Sequence, residues 1–147
     1  MNNLPKLPSL KAVIFNTSLK LEAGQSHTQI LLDSISELMK KAEVNVTTFH
    51  MVNYNVPPGI YPDMTEHGYD KDEWPEIWKT VKEADILIIG TPLWLGEESS
   101  VCRILIERLY AMSGQLNEDG QSIFYSKTGG AVITGNEDGV KHTAMSL

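Results

Sequence analysis

The stretch ADILIIGTPLWLGEESSVCRILIERL, residues 84–109, decides how this 147-residue chain is read. Ile86 through Ile89 form an unbroken run of β-branched residues and leucine between Asp85 and Gly90, the pattern of a parallel strand buried on both faces. Pro92 and Gly96 are expected to stop the ladder and hold open the loop GTPLWLG, which runs into a helix over residues 99–112. Such a loop sets backbone N–H groups and the rings of Pro92 and Trp94 at the carboxyl end of a strand, where open α/β sheets bind ligands.

Outward from this segment, strands and helices alternate. Residues 11–15 (KAVIF) read as strand one, and residues 28–42 as an amphipathic helix with Ile30, Leu31, Ile35, Leu38 and Met39 on one face. Residues 45–51 (NVTTFHM) read as strand two, followed by a long proline-bearing loop over 53–71. Residues 72–84 form a short helix with Pro75 in its first turn and Ile77, Trp78 and Val81 inward, leading to strand three at 85–90. After an excursion over 113–127, residues 129–134 (GGAVIT) form strand four, and GNEDG opens a last helix near Val140. This alternation predicts a doubly wound parallel sheet in the order 2-1-3-4, with the loops after strands one and three flanking its switch point.

Composition narrows the function. At 147 residues and 41% hydrophobic content, one domain over 1–147 is expected. Nineteen acidic against twelve basic residues give a net charge of −7, a field that repels nucleic acid and anionic membrane surfaces. Apolar runs stay far short of the roughly twenty residues that span a bilayer, and the lead-in MNNLPKLPSL is polar and proline-marked, unlike a signal peptide. The expectation is a soluble, cytoplasmic protein. The single cysteine, Cys102, allows no internal disulfide, and its place among apolar helix positions marks it as a buried small hydrophobe.

The loop after strand one offers the hydroxyls of Thr17, Ser18, Ser26 and Thr28, the Lys20 ammonium and the free N–H groups of a helix start, an inventory that suits a monophosphate. Ser26 and Thr28 read equally well as helix caps. The chain has neither Gly-x-Gly-x-x-Gly nor Gly-Lys-Ser/Thr, so a dinucleotide turn and a triphosphate loop are disfavoured. Trp94 reads as a ligand contact at the switch point, whereas Trp74 and Trp78, four apart on a helix, read as packing residues. His27 and His50 stand alone, His142 lies just inside the last helix, and Glu97 and Glu98 read as first-turn acids of the helix after strand three.

The runs AVIFNTSLK…SHTQ, NVPPGIYPDM, DEWPEIWKTVKEADILIIGTPLWLGEESSV and TGNEDGVKH together resemble the flavodoxin-like NAD(P)H-dependent FMN reductases over nearly the whole chain. The resemblance implies a flavodoxin-like fold with FMN as cofactor, NADPH or NADH as co-substrate, and a quinone-like or other small-molecule acceptor. The flavin carries the chemistry, so no catalytic acid, base or metal is required. Carried over by position, Ser18, Lys20, Ser26 and Thr28 hold the phosphate. Pro92, Leu93, Trp94, Leu95 and Gly96 contact the ring, joined by Thr134, Gly135, Asn136 and Gly139. The resemblance also implies a homo-oligomer, dimer or tetramer, in which the 53–71 loop serves as a lid or a subunit contact. Two departures stand out: Leu95 replaces a second aromatic or polar residue, and Glu97-Glu98 replace smaller ones. Family members continue through a fifth strand, so this chain reads as a C-terminally short member whose fourth strand has an open apolar edge. A flavodoxin-type electron carrier and a flavin-free module are the competing readings. An iron–sulfur flavoprotein needs several thiolates where this sequence has one.

Overall fold

Strand β1 (Lys11–Asn16) buries everything from Ala12 to Asn16, because it lies between two parallel neighbours, β2 (Asn45–His50) and β3 (Ile86–Trp94). A computed structural model describes residues 4–147 of the chain; the first three residues of the polar lead-in lie outside the described part. On the far side of β3 lies β5 (Thr128–Thr134), also parallel. The order β2-β1-β3-β5 is the expected 2-1-3-4, and a two-residue strand β4 (Glu97–Glu98) adds antiparallel to the end of β3. Among the described residues, β5 pairs with no second strand, and residues 128–131 are exposed along its length.

Side chains that alternate across the strands meet helices on both faces. On one face Ile14 and Ile88 pack with Leu32 and Ile35 of α1 (His27–Lys41). On the other, Val13, Phe15 and Ile89 meet Trp74, Ile77, Trp78 and Val81 of α2 (Trp74–Lys82) and Cys102 and Leu105 of α3 (Ser100–Ala111). Trp74 is fully buried and Trp78 nearly so, the packing role expected of both. A fourth helix, α4 (Val140–Ser146), follows β5. No helix among the described residues is long and apolar enough to cross a membrane.

Three expectations need correction. Pro92 does not stop the ladder: β3 continues to Trp94, and Pro92 sits opposite Thr134 in the pairing with β5. The reason lies in strand alternation. The Gly90 carbonyl faces β1, where it accepts the Thr17 N–H at 2.8 Å, so Pro92, two residues on, turns its missing donor to the same side, beyond the last β1 pair at Asn16–Gly90. The inward face of α1 is also different, since Thr28, Leu32 and Ser36 are buried while Ile30, Leu31 and Leu38 are exposed. Leu32 packs over Gly90, where an added Cβ would fall 2.6 Å from Leu32 Cδ1, and Thr28 and Ser36, one turn to either side of it, are buried on the same face. Finally, Glu97 and Glu98 form β4 and precede the α3 N-cap, where the Ser99 hydroxyl accepts the Cys102 N–H at 3.1 Å.

Candidate functional site

The expected open loop after β3 is a tight hairpin. Leu93 pairs with Glu98 and Trp94 with Glu97, leaving Leu95 and Gly96 as a two-residue turn with φ of 55° and 81°, the doubly positive signature of a type I′ hairpin turn. The segment after β5 braces it. A Cβ on Gly135 would fall 2.9 Å from both Cβ and the carbonyl oxygen of Leu93. Gly139, at φ 113°, brings its backbone so close to Gly96 that a Cβ would sit 2.6 Å from the Gly96 Cα. No other residue fits either approach, which gives TGNEDG a structural reason for its glycines.

Beside this hairpin lies a crevice of about 720 Å³ at the carboxyl end of the sheet. It is lined by Ser18, Lys20, Ser26 and Thr28 from the loop after β1 and the start of α1, by Pro92 and Trp94 from β3, and by Thr134, Gly135 and Asn136 at the end of β5. The two chain reversals singled out from the sequence therefore meet in one cleft. Trp94 lines the cleft and is 46% exposed.

Around the hydroxyls of the loop after β1, the geometry is prearranged by hydrogen bonds. Asn16 Oδ1 accepts the Ser18 N–H at 2.8 Å, while Asn16 Nδ2 donates to Gln29 Oε1 at 2.7 Å. The Lys20 ammonium donates to the Gln25 carbonyl at the end of a single 3-10 turn, Ala23–Gln25. Ser26 is the N-cap of α1, its hydroxyl accepting the Gln29 N–H at 3.3 Å; the capping reading and the lining position are both realised. The Thr28 and Thr134 hydroxyls lie 2.7 Å apart and tie α1 to β5. The N–H groups of His27 and Thr28 belong to the first turn, where a helix supplies no acceptor of its own.

Five expected residues are not among those that line the crevice. Thr17 is fully buried: its hydroxyl and its N–H both donate to the Gly90 carbonyl at 2.8 Å, and its own carbonyl accepts the Ser99 hydroxyl at 2.7 Å. It stitches β1, β3 and the start of α3 together. Leu93 is buried, Leu95 projects into solvent at 91% exposure, and Gly96 and Gly139 touch each other. In their place His27, Leu31 and Ile133 line the cleft. Their sequence signal is periodicity, since 27, 28 and 31 share a helix face and Ile133 precedes Thr134 on β5.

The 53–71 loop supplies no wall of the crevice. It packs instead on α3, where the Gly59 N–H donates to Glu107 at 3.1 Å and Arg108 donates to the Pro62 carbonyl at 3.1 Å and pairs with Asp72. Asp72 also accepts the N–H groups of Met64 and Trp74, each at 2.9 Å. His142 is exposed and pairs with Glu97 at 2.9 Å.

Cys102 is fully buried and uninvolved in the cleft, and burial pushes its thiol up to about 11 from 9.0, against the opposing pull of Thr17 and Thr91. Between these two values the unfolded chain ionises first, so this thiol lowers stability as pH rises through the window from 9.0 to about 11. At pH 8 a thiol raised to about 11 holds about a hundredfold less thiolate than a free cysteine. Alkylation by iodoacetamide is therefore expected to be at least about a hundredfold slower in the folded protein than in urea; equal rates would contradict the burial.

Residues 10–147 match the family described as NADPH-dependent FMN reductase. The chain is 47% identical over 143 residues to a Mycobacterium bovis protein named divalent metal cation transporter MntH, a match that takes in 97% of this chain and 21% of that protein. It is 31% identical over 144 residues to the 8-demethyl-8-aminoriboflavin-5'-phosphate synthase of Streptomyces davaonensis, covering 95% of this chain and 56% of that enzyme. The solved structure of RosB with its bound intermediate 8-demethyl-8-formylriboflavin-5'-phosphate superposes with a TM-score of 0.83 at 32% identity, over 93% of this chain and 56% of the other. The chain thus spans about half, or much less, of the length of these relatives.

Proposed function

Because the chain belongs to the NADPH-dependent FMN reductase family, we propose that its crevice holds FMN and that the protein passes hydride from NADPH or NADH through that flavin to a small, quinone-like acceptor. The observation that carries this reading is the meeting of the two reversals: hydroxyls, an ammonium and a helix N-terminus share a single cleft with Pro92 and Trp94.

The donor set fits the group. Ser18, Ser26 and Lys20 would hold the phosphate, with the first-turn N–H groups of α1 pointing at it. Pro92 and Trp94 would lie against the ring, and Leu31 would keep water from its edge. The volume of about 720 Å³ falls within the range of about 300–1,000 Å³ typical of cofactor sites. FMN, when bound, supplies the redox chemistry, and the chain supplies orientation and exclusion of water. No side chain of this chain is asked to carry a proton.

The relative at 31% identity supports a second reading, in which the flavin phosphate is itself the molecule altered at its 8-position. One experiment separates these. The protein is titrated with FMN under argon, given NADPH or NADH, and the flavin is recovered for mass spectrometry. We expect binding with Kd near ~1 μM or tighter, about 8 kcal/mol, loss of the yellow absorbance with one of the nicotinamides, and unaltered flavin on recovery. Flavin returned with a changed 8-substituent supports the second reading. A yellow protein inert to both nicotinamides points to an electron carrier, and a colourless one overturns the proposal.

A further inference from the structure

Leu95 is held in the left-handed region at φ 55°, yet its side chain is 91% exposed, so nothing its own side chain packs against keeps it there. A Leu-Gly turn also lacks the short polar side chain by which Asn or Asp favours this conformation. The support comes from the segment after β5. Glu137 Oε2 accepts the Leu95 N–H at 2.7 Å, and the Thr143 hydroxyl donates to the Gly96 carbonyl at 3.1 Å. The flanking residues are tied down by the same helix: Glu97 meets His142 at 2.9 Å, and the Ser146 hydroxyl donates to Glu98 at 2.7 Å, while Arg103 of α3 holds the other oxygen of Glu98. Trp94, whose ring lines the crevice, is the residue just before this turn.

We propose that Glu137 is a positioning residue: by accepting the Leu95 N–H it holds the strained turn, and through the turn it fixes where Trp94 stands in the crevice. This rests on the crevice being a flavin site, and it predicts that a carboxylate outside the ring pocket controls how tightly the ring is held. The Leu95 peptide thus finds in residue 137 an acceptor that the turn's own side chains do not supply.

The test uses the full chain with Glu137→Ala, Glu137→Gln, and Leu95→Gly combined with Glu137→Ala. In ligand-free protein, hydrogen exchange at the Leu95 amide is expected to rise roughly tenfold in Glu137→Ala, the loss of one charge-assisted hydrogen bond. FMN Kd is expected to rise about fivefold with the quenching of Trp94 fluorescence reduced in parallel, read against Trp94→Phe. Glu137→Gln keeps an acceptor oxygen and is expected to stay within about twofold of the parent. Leu95→Gly removes the strain and is expected to restore most of the affinity lost in Glu137→Ala. A general structural role would lower thermal stability without these two rescues of affinity. An unchanged Leu95 amide in Glu137→Ala overturns the turn-holding itself, and an unchanged FMN Kd overturns the link to Trp94. A parent protein that ignores FMN overturns the flavin reading, and with it the role toward the ring, while the exchange measurement still decides whether Glu137 holds the turn.

Discussion

Arg108→Met is expected to lower the unfolding free energy by about 3–5 kcal/mol, the usual effect of breaking a buried ion pair from one side. The Arg108 and Asp72 side chains are both completely buried, one from the last turn of α3 and the other just ahead of α2. Burial lowers the guanidinium's proton affinity even with Asp72 opposing it, and its Nε and Nη1 find no acceptor among the described residues. The pair is thus a junction between elements more than a source of net attraction. Removing the cation strands a carboxylate in the core and frees the Pro62 carbonyl, so the 53–71 loop loosens along with the fold.

The order of effects is as informative as their size. Asp72 also receives the Met64 and Trp74 N–H groups, so Asp72→Leu leaves two backbone donors and a cation without their acceptor and is expected to cost more than Arg108→Met. Combining the two is not expected to restore parental stability, because apolar replacement cannot satisfy those N–H groups. Urea unfolding midpoints measure all three, with proteolysis of the loop as a local readout. A loss under about 1 kcal/mol in Arg108→Met would show that the pair is solvated, since exposed pairs fall in that range. Against a total stability of about 5–15 kcal/mol, the expected loss is large.

The architecture was readable because its signals are local and redundant. The apolar runs at Ala12–Phe15 and Ile86–Ile89 and the helices between strands leave few topologies, and the observed order is the one they predict. What sequence could not supply was direction. Thr17 and Ser18 have similar hydroxyls on adjacent residues, yet one is turned into the β1–β3 seam and the other lines the cleft. Ile30, Leu31 and Leu38 outweigh Thr28 and Ser36 on any hydrophobicity scale, but the helix is turned so that Leu32 packs over Gly90, which carries Thr28 and Ser36, one turn to either side, onto the inner face. Pro92 reads as a strand terminator because it lacks a backbone donor; only the position at which β1 stops reveals that this missing donor faces no strand. The Glu137–Leu95 contact joins residues 42 apart, a separation at which no periodicity carries information.

Gly139→Ala carries the same logic to the crevice. At φ 113° a non-glycine residue is strained by about 1–3 kcal/mol, and the added Cβ would meet the Gly96 Cα at 2.6 Å, backbone that has no rotamer to yield. Relief requires the hairpin tip and the start of α4 to part. That separation breaks the Thr143 hydrogen bond to Gly96 and draws His142 from Glu97, so Trp94 loses its support from behind. The expected outcome is a stability loss of at least about 2 kcal/mol together with faster amide exchange along α4 and weaker FMN binding, by roughly tenfold or more if the turn carries about 1.4 kcal/mol of ring contact. Gly114→Ala is the matched control, since a Cβ there meets nothing within 4 Å and is expected to be neutral or slightly stabilising. If the two variants unfold and bind alike, the close packing of Gly139 on Gly96 is not what holds the hairpin. If Gly139→Ala loses stability but keeps its affinity, the bracing of the hairpin by α4 serves the fold alone, and the ring end of the crevice must be set within β3 itself.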